Sequence, residues 1–256
     1  MYSTKWITCP KKQPDAKIRM FCFSYAGGGA SVFLNWPHSI SNDIEVCIIK
    51  MPGREIRFNE PPYRRIPKLV EDLAPAILPF LDKTFIFFGH SLGAHISFYL
   101  TRHLRKYDLP CPIHMFISGA RAPHLTEPIH DALHYKMEDK EFIDKLIKLG
   151  GMAEEVLQNK EILEIVLPIL RADIEMLNTM EYIDEEPLSS GMTVLYGEFD
   201  KRASREDAEA WNRHTNQGFC LKMITGKHLF INTHQAQVIE LINKELLTVN
   251  LAAPIS

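Results

Sequence analysis

Gly89-His90-Ser91-Leu92-Gly93 is the part of this 256-residue chain whose residue types most directly imply chemistry. An apolar run, Thr84–Phe88, leads into it and a helical pattern, Ala94–Lys106, leads out. A serine at such a strand–turn–helix corner is lifted clear of the backbone around it, with its hydroxyl free to attack a carbonyl carbon. The two glycines let the strand and the helix pass close together. The helix start adds partial positive charge and an unpaired N–H at Leu92, placed where negative charge would collect on the attacked carbonyl's oxygen. The plainer alternative is a glycine-rich turn with a capping serine.

A serine hydroxyl is a weak nucleophile, so it needs a base, and the base needs an orienting carboxylate. Two later loops supply candidates. Asp200 follows the run Met192–Tyr196 across Gly197-Glu198-Phe199, and His228 follows Cys220–Ile224 across Thr225-Gly226-Lys227. Each stands at the exit of a strand, as Ser91 does. Glu198 and Asp207 compete for the acid; His90, His124, His130, His134, His214 and His234 compete for the base. His90 adjoins the serine and has little freedom to fold back on it. A second N–H donor for the oxygen is expected from the loop Ser24–Ala30, where three consecutive glycines allow the backbone to turn inward. That loop lacks G-x-G-x-x-G spacing and no G-x-x-x-x-G-K-[ST] occurs, which argues against a nucleotide. No His/Cys/Asp/Glu grouping has metal-ligand spacing, so no metal is expected.

The elements that must position these residues can be read from the hydrophobic pattern. Strands are expected at Arg19–Ser24, Glu45–Ile49, Thr84–Phe88, His114–Ser118, Thr193–Tyr196 and Cys220–Ile224. They are apolar on both faces, as in a sheet covered on both sides. Helices are expected near Pro67–Leu81, Leu92–Lys106, Arg205–Arg213 and Gln235–Leu247. This alternation predicts a mostly parallel, doubly wound α/β sheet. From about 121 to 186 the pattern turns helical and charged, with helices expected at Glu138–Leu149, Ala153–Gln158 and Glu161–Asp173. Residues 1–120 carry fifteen Lys and Arg against nine Asp and Glu; residues 121–186 carry seven against sixteen. The break suggests an insertion of about 121–186 within a single domain spanning 1–256, lying as a lid over the sheet's carboxyl edge. Its apolar residues Phe142, Ile143, Leu146, Ile147, Leu149, Met152, Val156, Leu157, Met176 and Met180 exceed what one thin layer needs.

Composition is that of a globular protein, 46% hydrophobic and 24% charged, with a net charge of −3. That charge offers nothing to nucleic acid. No apolar run approaches the ~18 residues of a membrane span, and the N-terminus lacks a secretory signal's apolar core. Five cysteines without a CxxC pair point to reduced thiols, with Cys22, Cys47 and Cys220 inside strand-like runs. A cytoplasmic protein without membrane association is expected.

A wider set of segments then carries a resemblance. Tyr25-Ala26-Gly27-Gly28, Phe33 with Trp36, Pro52-Gly53-Arg54-Glu55-x-Arg57, Glu60-Pro61-Pro62, Gly89–Gly93, Ser118-Gly119-x-Arg121-Ala122-Pro123, Leu170-Arg171-Ala172-Asp173, Gly197-x-x-Asp200 and Gly226-x-His228 run in order along the chain. Together they resemble the stand-alone (type II) thioesterases of nonribosomal peptide and polyketide synthesis, within the α/β-hydrolase superfamily. Ser24 and Lys227 depart from that pattern without touching the proposed roles. The resemblance implies an α/β-hydrolase fold with a helical lid, and hydrolysis of acyl thioesters on the phosphopantetheine arm of a carrier protein. It implies Ser91 as nucleophile, His228 as base and then acid, Asp200 as its orienter, and the N–H groups of Ala26 and Leu92 as oxyanion hole. No bound cofactor is implied. The expected partner is an acyl or peptidyl carrier met transiently in trans by a monomer. Because carriers are acidic, docking is expected on the basic half near Arg54, Arg57, Arg64 and Arg65, with Tyr25 also facing substrate or carrier. A serine esterase or lipase acting on free esters, and a non-catalytic binding protein of the same fold, are the alternatives.

Overall fold

The structure is a computed structural model, and it describes residues 2–126, 133–148 and 159–248. Eight strands form one sheet in the order β1-β2-β4-β3-β5-β6-β7-β8. They are β1 (Tyr2–Ser3), β2 (Ile7–Cys9), β3 (Ile18–Phe23), β4 (Ile44–Ile49), β5 (Thr84–His90), β6 (His114–Ser118), β7 (Gly191–Gly197) and β8 (Phe219–Ile224). β3 to β8 pair in parallel. β1 and β2 are antiparallel additions at one edge. The six parallel strands coincide with the six apolar runs. The edge pair was not foreseen, because two and three residues are too few to show a period.

Alternation along each strand divides the core in two. Phe21, Phe23, Phe85, Phe87, Met115, Ile117, Met192 and Val194 face one layer, where they meet α1 (Ile66–Ile77) and α2 (Leu92–Lys106). Trp211, just after the short helix α5 (Arg205–Glu209), packs there as well. Met20, Cys22, Val46, Ile48, Ile86, Phe88, Phe116 and Leu195 face the other. There they meet Phe33, Trp36, α6 (Phe230–Thr233) and α7 (Gln235–Thr248). Each large side chain buried in this way contributes about 1.5–3 kcal/mol. With helices on both faces, only the loops at the strand ends remain for a site.

Among the described residues between β6 and β7 stand two longer helices, α3 (Asp139–Lys148) and α4 (Lys160–Asn178). α4 runs five residues beyond the expected end at Asp173. The expected helix Ala153–Gln158, and Leu149, Met152, Val156 and Leu157, lie outside the described residues. Phe142, Leu146, Leu170 and Ile174 form a small separate core with Leu133, and Ala26 packs against it. Arg171 ties the two helices, donating to Tyr135 C=O at 2.6 Å and to Asp139 at 2.5 Å while covering the Phe142 ring. Met176 reaches the main core, and Ile147 is half exposed.

The order β4-β3-β5 means that the chain winds outward from β3 in both directions. In such sheets a crevice opens at the carboxyl ends of the two strands flanking the reversal. Here those strands are β3, which ends in the glycine loop, and β5, which ends in Ser91.

Candidate active site

Ser91 sits between β5 and α2 with φ 54° and ψ −115°. A side chain in that region is strained, and the strain is held by close packing on both sides. A Cβ on Gly93 would lie 2.2 Å from the Phe23 carbonyl oxygen, and one on Gly89 would lie 2.4 Å from that of Gly93. The first turn of α2 is thereby pressed against the exit of β3. The Ser91 N–H donates to Ser118 C=O at 2.7 Å, extending the β5–β6 ladder through the corner.

The candidate acid and base come from the neighbouring exits. After β7 and β8 the two loops are stitched together: Glu198 N–H donates to Ile224 C=O and Phe199 N–H to Gly226 C=O, both at 2.9 Å. His228 Nδ1–H then donates to Asp200 Oδ2 at 2.8 Å. Because that nitrogen carries the proton, neutral Nε2 accepts from the Ser91 hydroxyl, at 3.0 Å. The other Asp200 oxygen accepts the N–H groups of Arg202 at 2.8 Å and Ala203 at 3.3 Å. Burial pushes the Asp200 carboxyl up, but the His228 hydrogen bond and charge and the two N–H donors outweigh it and hold it below the usual carboxylate value. Burial lowers the His228 imidazole, and Asp200 offsets this only in part.

The competitors are placed elsewhere. Glu198 is exposed. Asp207 pairs with Arg121 at 2.9 Å and closes a capping box with Ser204 at the start of α5. His124 and His214 share a hydrogen bond of 2.8 Å, His234 contacts the Thr233 hydroxyl, and His134 stacks on Tyr135. His130 lies outside the described residues.

His90 is fully buried beneath the base. Its Nε2 is 2.9 Å from the His228 carbonyl oxygen, which can only accept, so Nε2 bears the proton. Nδ1 therefore accepts from the Ser118 hydroxyl, at 2.8 Å. Burial holds the ring down to about 3, neutral as this pattern requires. His90 thus anchors the main chain of the base. Its place beside Ser91 was visible in the sequence, but its partner, 138 positions away, was not.

Tyr25, Ala26, Gly27 and Gly28 make a tight turn, closed by Gly28 N–H donating to Tyr25 C=O at 2.8 Å. Gly27 has φ 82°, the left-handed value that the third position of a type II turn needs. Among the described residues, neither the Ala26 N–H nor the Leu92 N–H meets an acceptor. One of these N–H groups follows the exit of β3 and the other follows the exit of β5. Tyr25 is half-buried; its ring stands edge-on to His90 and its hydroxyl accepts from Asn232 at 2.8 Å.

The basic residues expected to dock a carrier divide. Arg54 and Arg57 are internal, 6% and 5% exposed, which corrects their assignment to the surface. Arg54 forms a two-pronged pair with Asp173 of α4 at 2.7 and 2.8 Å. Arg57 holds Glu60 and the Lys50 carbonyl and lies 4.1 Å over the Trp6 ring. Glu55, between them, accepts the N–H groups of Ala30 and Ser31 at 2.9 Å. The Pro-Gly-Arg-Glu segment braces the glycine loop. Arg64 and Arg65 remain about half exposed, and both grip Glu175 of α4 at 2.7 Å.

A family model for the thioesterase domain matches residues 18–246, which include every residue of this site. The chain belongs to the thioesterase family. Gramicidin S biosynthesis protein GrsT of Aneurinibacillus migulanus is 38% identical over 94% of this chain and 94% of its own. Linear gramicidin dehydrogenase LgrE of Brevibacillus parabrevis is 39% identical over 95% of this chain and 93% of its own. Among solved structures, RedJ, the thioesterase of prodiginine biosynthesis in Streptomyces coelicolor, superposes with a TM-score of 0.85. It is 30% identical and covers 91% of this chain and 92% of its own. The thioesterase thus has the α/β-hydrolase fold that its sequence suggested. Among its described residues there is no group of three or more His, Cys, Asp or Glu that could hold a metal, and no helix long and apolar enough to cross a membrane.

Proposed function

We propose that this thioesterase hydrolyses acyl thioesters carried on the phosphopantetheine arm of carrier proteins in trans, clearing acyl groups from a nonribosomal peptide or polyketide synthase. One observation supports it most: the unbroken hydrogen-bonded series Asp200–His228–Ser91. In this reading His228 Nε2 takes the Ser91 proton as Oγ bonds to the thioester carbon. The N–H groups of Ala26 and Leu92 hold the oxygen that becomes negative. The carbon–sulfur bond breaks, and the imidazolium gives its proton to the departing thiolate. Water gives a proton to the same imidazole as its oxygen bonds to the acyl carbon; the bond to Oγ then breaks and the imidazolium returns that proton to Ser91, freeing the acid. A thiol is a good leaving group, so this step asks little of the imidazolium. The segment carrying α3 and α4 acts as the lid.

Carrier docking is placed at Arg64 and Arg65, where two half-exposed guanidinium groups share one carboxylate. The test compares an acyl-carrier thioester with an oxygen ester of the same acyl chain. The carrier thioester is expected to be the better substrate, and preference for the free oxygen ester would favour a general esterase. In the same assay Arg64→Gln/Arg65→Gln should raise KM for the carrier substrate and leave that for a small thioester unchanged. Equal changes in both would remove the docking site. Glutamine is preferable to glutamate, since reversal would set two further carboxylates against Glu175.

The base works only when neutral, so hydrolysis should rise with pH. Because burial lowers the His228 imidazole, kcat/KM should reach half its plateau below the ordinary histidine value of 6.5. A midpoint above that value in a pH–rate profile would contradict His228 as the titrating base.

A further inference from the structure

Asp173 is fully buried, although it belongs to the insertion helix α4 rather than to the sheet. Its two oxygens serve three donors. Oδ2 accepts the Gly27 N–H and Arg54 Nη1–H, both at 2.7 Å, and Oδ1 accepts Arg54 Nη2–H at 2.8 Å. Arg54 Nη1 also donates to Gly28 C=O at 3.0 Å. The glycine turn is therefore held by both of its peptide faces: Asp173 takes the N–H of Gly27, and Arg54 takes the carbonyl of Gly28. Leu170, three residues earlier on α4, closes the remaining side, where a Cβ on Gly27 would fall 2.6 Å from its Cδ2.

Among the described residues, no acceptor meets the Ala26 N–H. That N–H shares its peptide plane with the Tyr25 carbonyl, which accepts the Gly28 N–H at 2.8 Å, so its direction is set while the turn stays closed. Asp173 on the Gly27 N–H and Arg54 on the Gly28 C=O hold the turn closed and in place, so the Ala26 N–H keeps its direction. We infer that Asp173 and Arg54 are positioning residues for the oxyanion site: the insertion helix, once seated, fixes the direction of the Ala26 N–H toward the oxygen of the reacting carbonyl. The inference rests on the proposed Ser91 chemistry. It makes seating of the lid a condition for an organised oxyanion site, since Asp173 leaves the turn if α4 lifts.

Two variants and one measurement on the unaltered enzyme test it. Asp173→Asn removes the charge while keeping the shape. Arg54→Met/Asp173→Leu removes the pair without leaving an unpaired charge in the interior. Both should lose about 10²-fold in kcat, the scale of one oxyanion donor, with KM for a small acyl thioester unchanged. Affinity for a trifluoromethyl ketone analogue, whose Ser91 adduct bears an oxyanion, should fall by the same factor. Affinity for an uncleavable thioether analogue should hold. A structural role alone would lower both affinities together, or lower the number of titratable sites without altering turnover per site. Either pattern overturns the inference, as does wild-type kcat in the folded double variant. In the unaltered enzyme, the Gly27 amide should resist hydrogen exchange; rapid exchange there overturns the contact even if neither variant folds. If instead the wild-type protein shows no Ser91-dependent hydrolysis, the functional reading fails, whereas an active wild type with indifferent variants refutes only this assignment.

Discussion

Ser91→Ala is expected to lower thioester hydrolysis by about 10⁶-fold, and His228→Ala by a similar factor. The two losses should not multiply. In the proposed mechanism nucleophile and base share one proton transfer across a 3.0 Å hydrogen bond, so removing either leaves the other without a task. The double variant should match the single ones, with residual catalysis from the N–H donors and substrate binding alone. Asp200→Asn should cost less, about 10⁴-fold, because the imidazole stays but its tautomer is no longer fixed. The fold should tolerate Ser91→Ala: alanine bears the same Cβ at φ 54°, so the strain is unchanged. Single-turnover rates on a small thioester measure these effects. A Ser91→Ala protein that keeps about a tenth of the rate would show that the nucleophile lies elsewhere.

The second large effect is on stability. Burial holds His90 and His214 down to about 3, and His95 and His114 down to about 4, against an ordinary value of 6.5. Each is nearly sealed from solvent, so the folded chain refuses protons that the unfolded chain accepts. Folded-state values below the unfolded value mean that stability is fully present above 6.5 and is lost as pH falls toward 4. Each such group changes stability by about 1.4 kcal/mol per pH unit within that window. Four together approach about 5 kcal/mol per unit, set against a total of about 5–15 kcal/mol for a domain. Unfolding should therefore set in between about pH 5 and 4. Urea titrations followed by tryptophan fluorescence at pH 7, 6 and 5 should show a midpoint that falls steeply. The same midpoint at pH 7 and pH 5 would mean that these histidines accept protons inside the fold.

Much of this architecture could be read from residue order. Six parallel strands announce themselves because covered strands are apolar on both faces, and Ser91, Asp200 and His228 each follow such a run directly. What failed to show was pairing across distance. Arg54 and Asp173 are 119 positions apart, and nothing local marks either as buried. Counting charges put Arg54 on a basic half facing a partner. In the structure, part of that contrast is internal: Arg54, Arg64 and Arg65 meet Asp173 and Glu175 of the acidic insertion. A charge break between segments can thus mark two parts of one molecule gripping each other. His90 shows the same limit in miniature, since its neighbours along the chain say nothing of the carbonyl it supports.

The sheet's two margins are unequal in what they can tolerate. One ends in the short hairpin of β1 and β2, at the edge opposite β8; the other ends in β8 itself, from which the loop bearing His228 departs. A fusion partner, an affinity tag or a grafted loop attached at the hairpin margin would leave the proton-handling side of the enzyme untouched. The same addition beside β8 would tug on a strand with a single hydrogen-bonded neighbour, and with it on the imidazole.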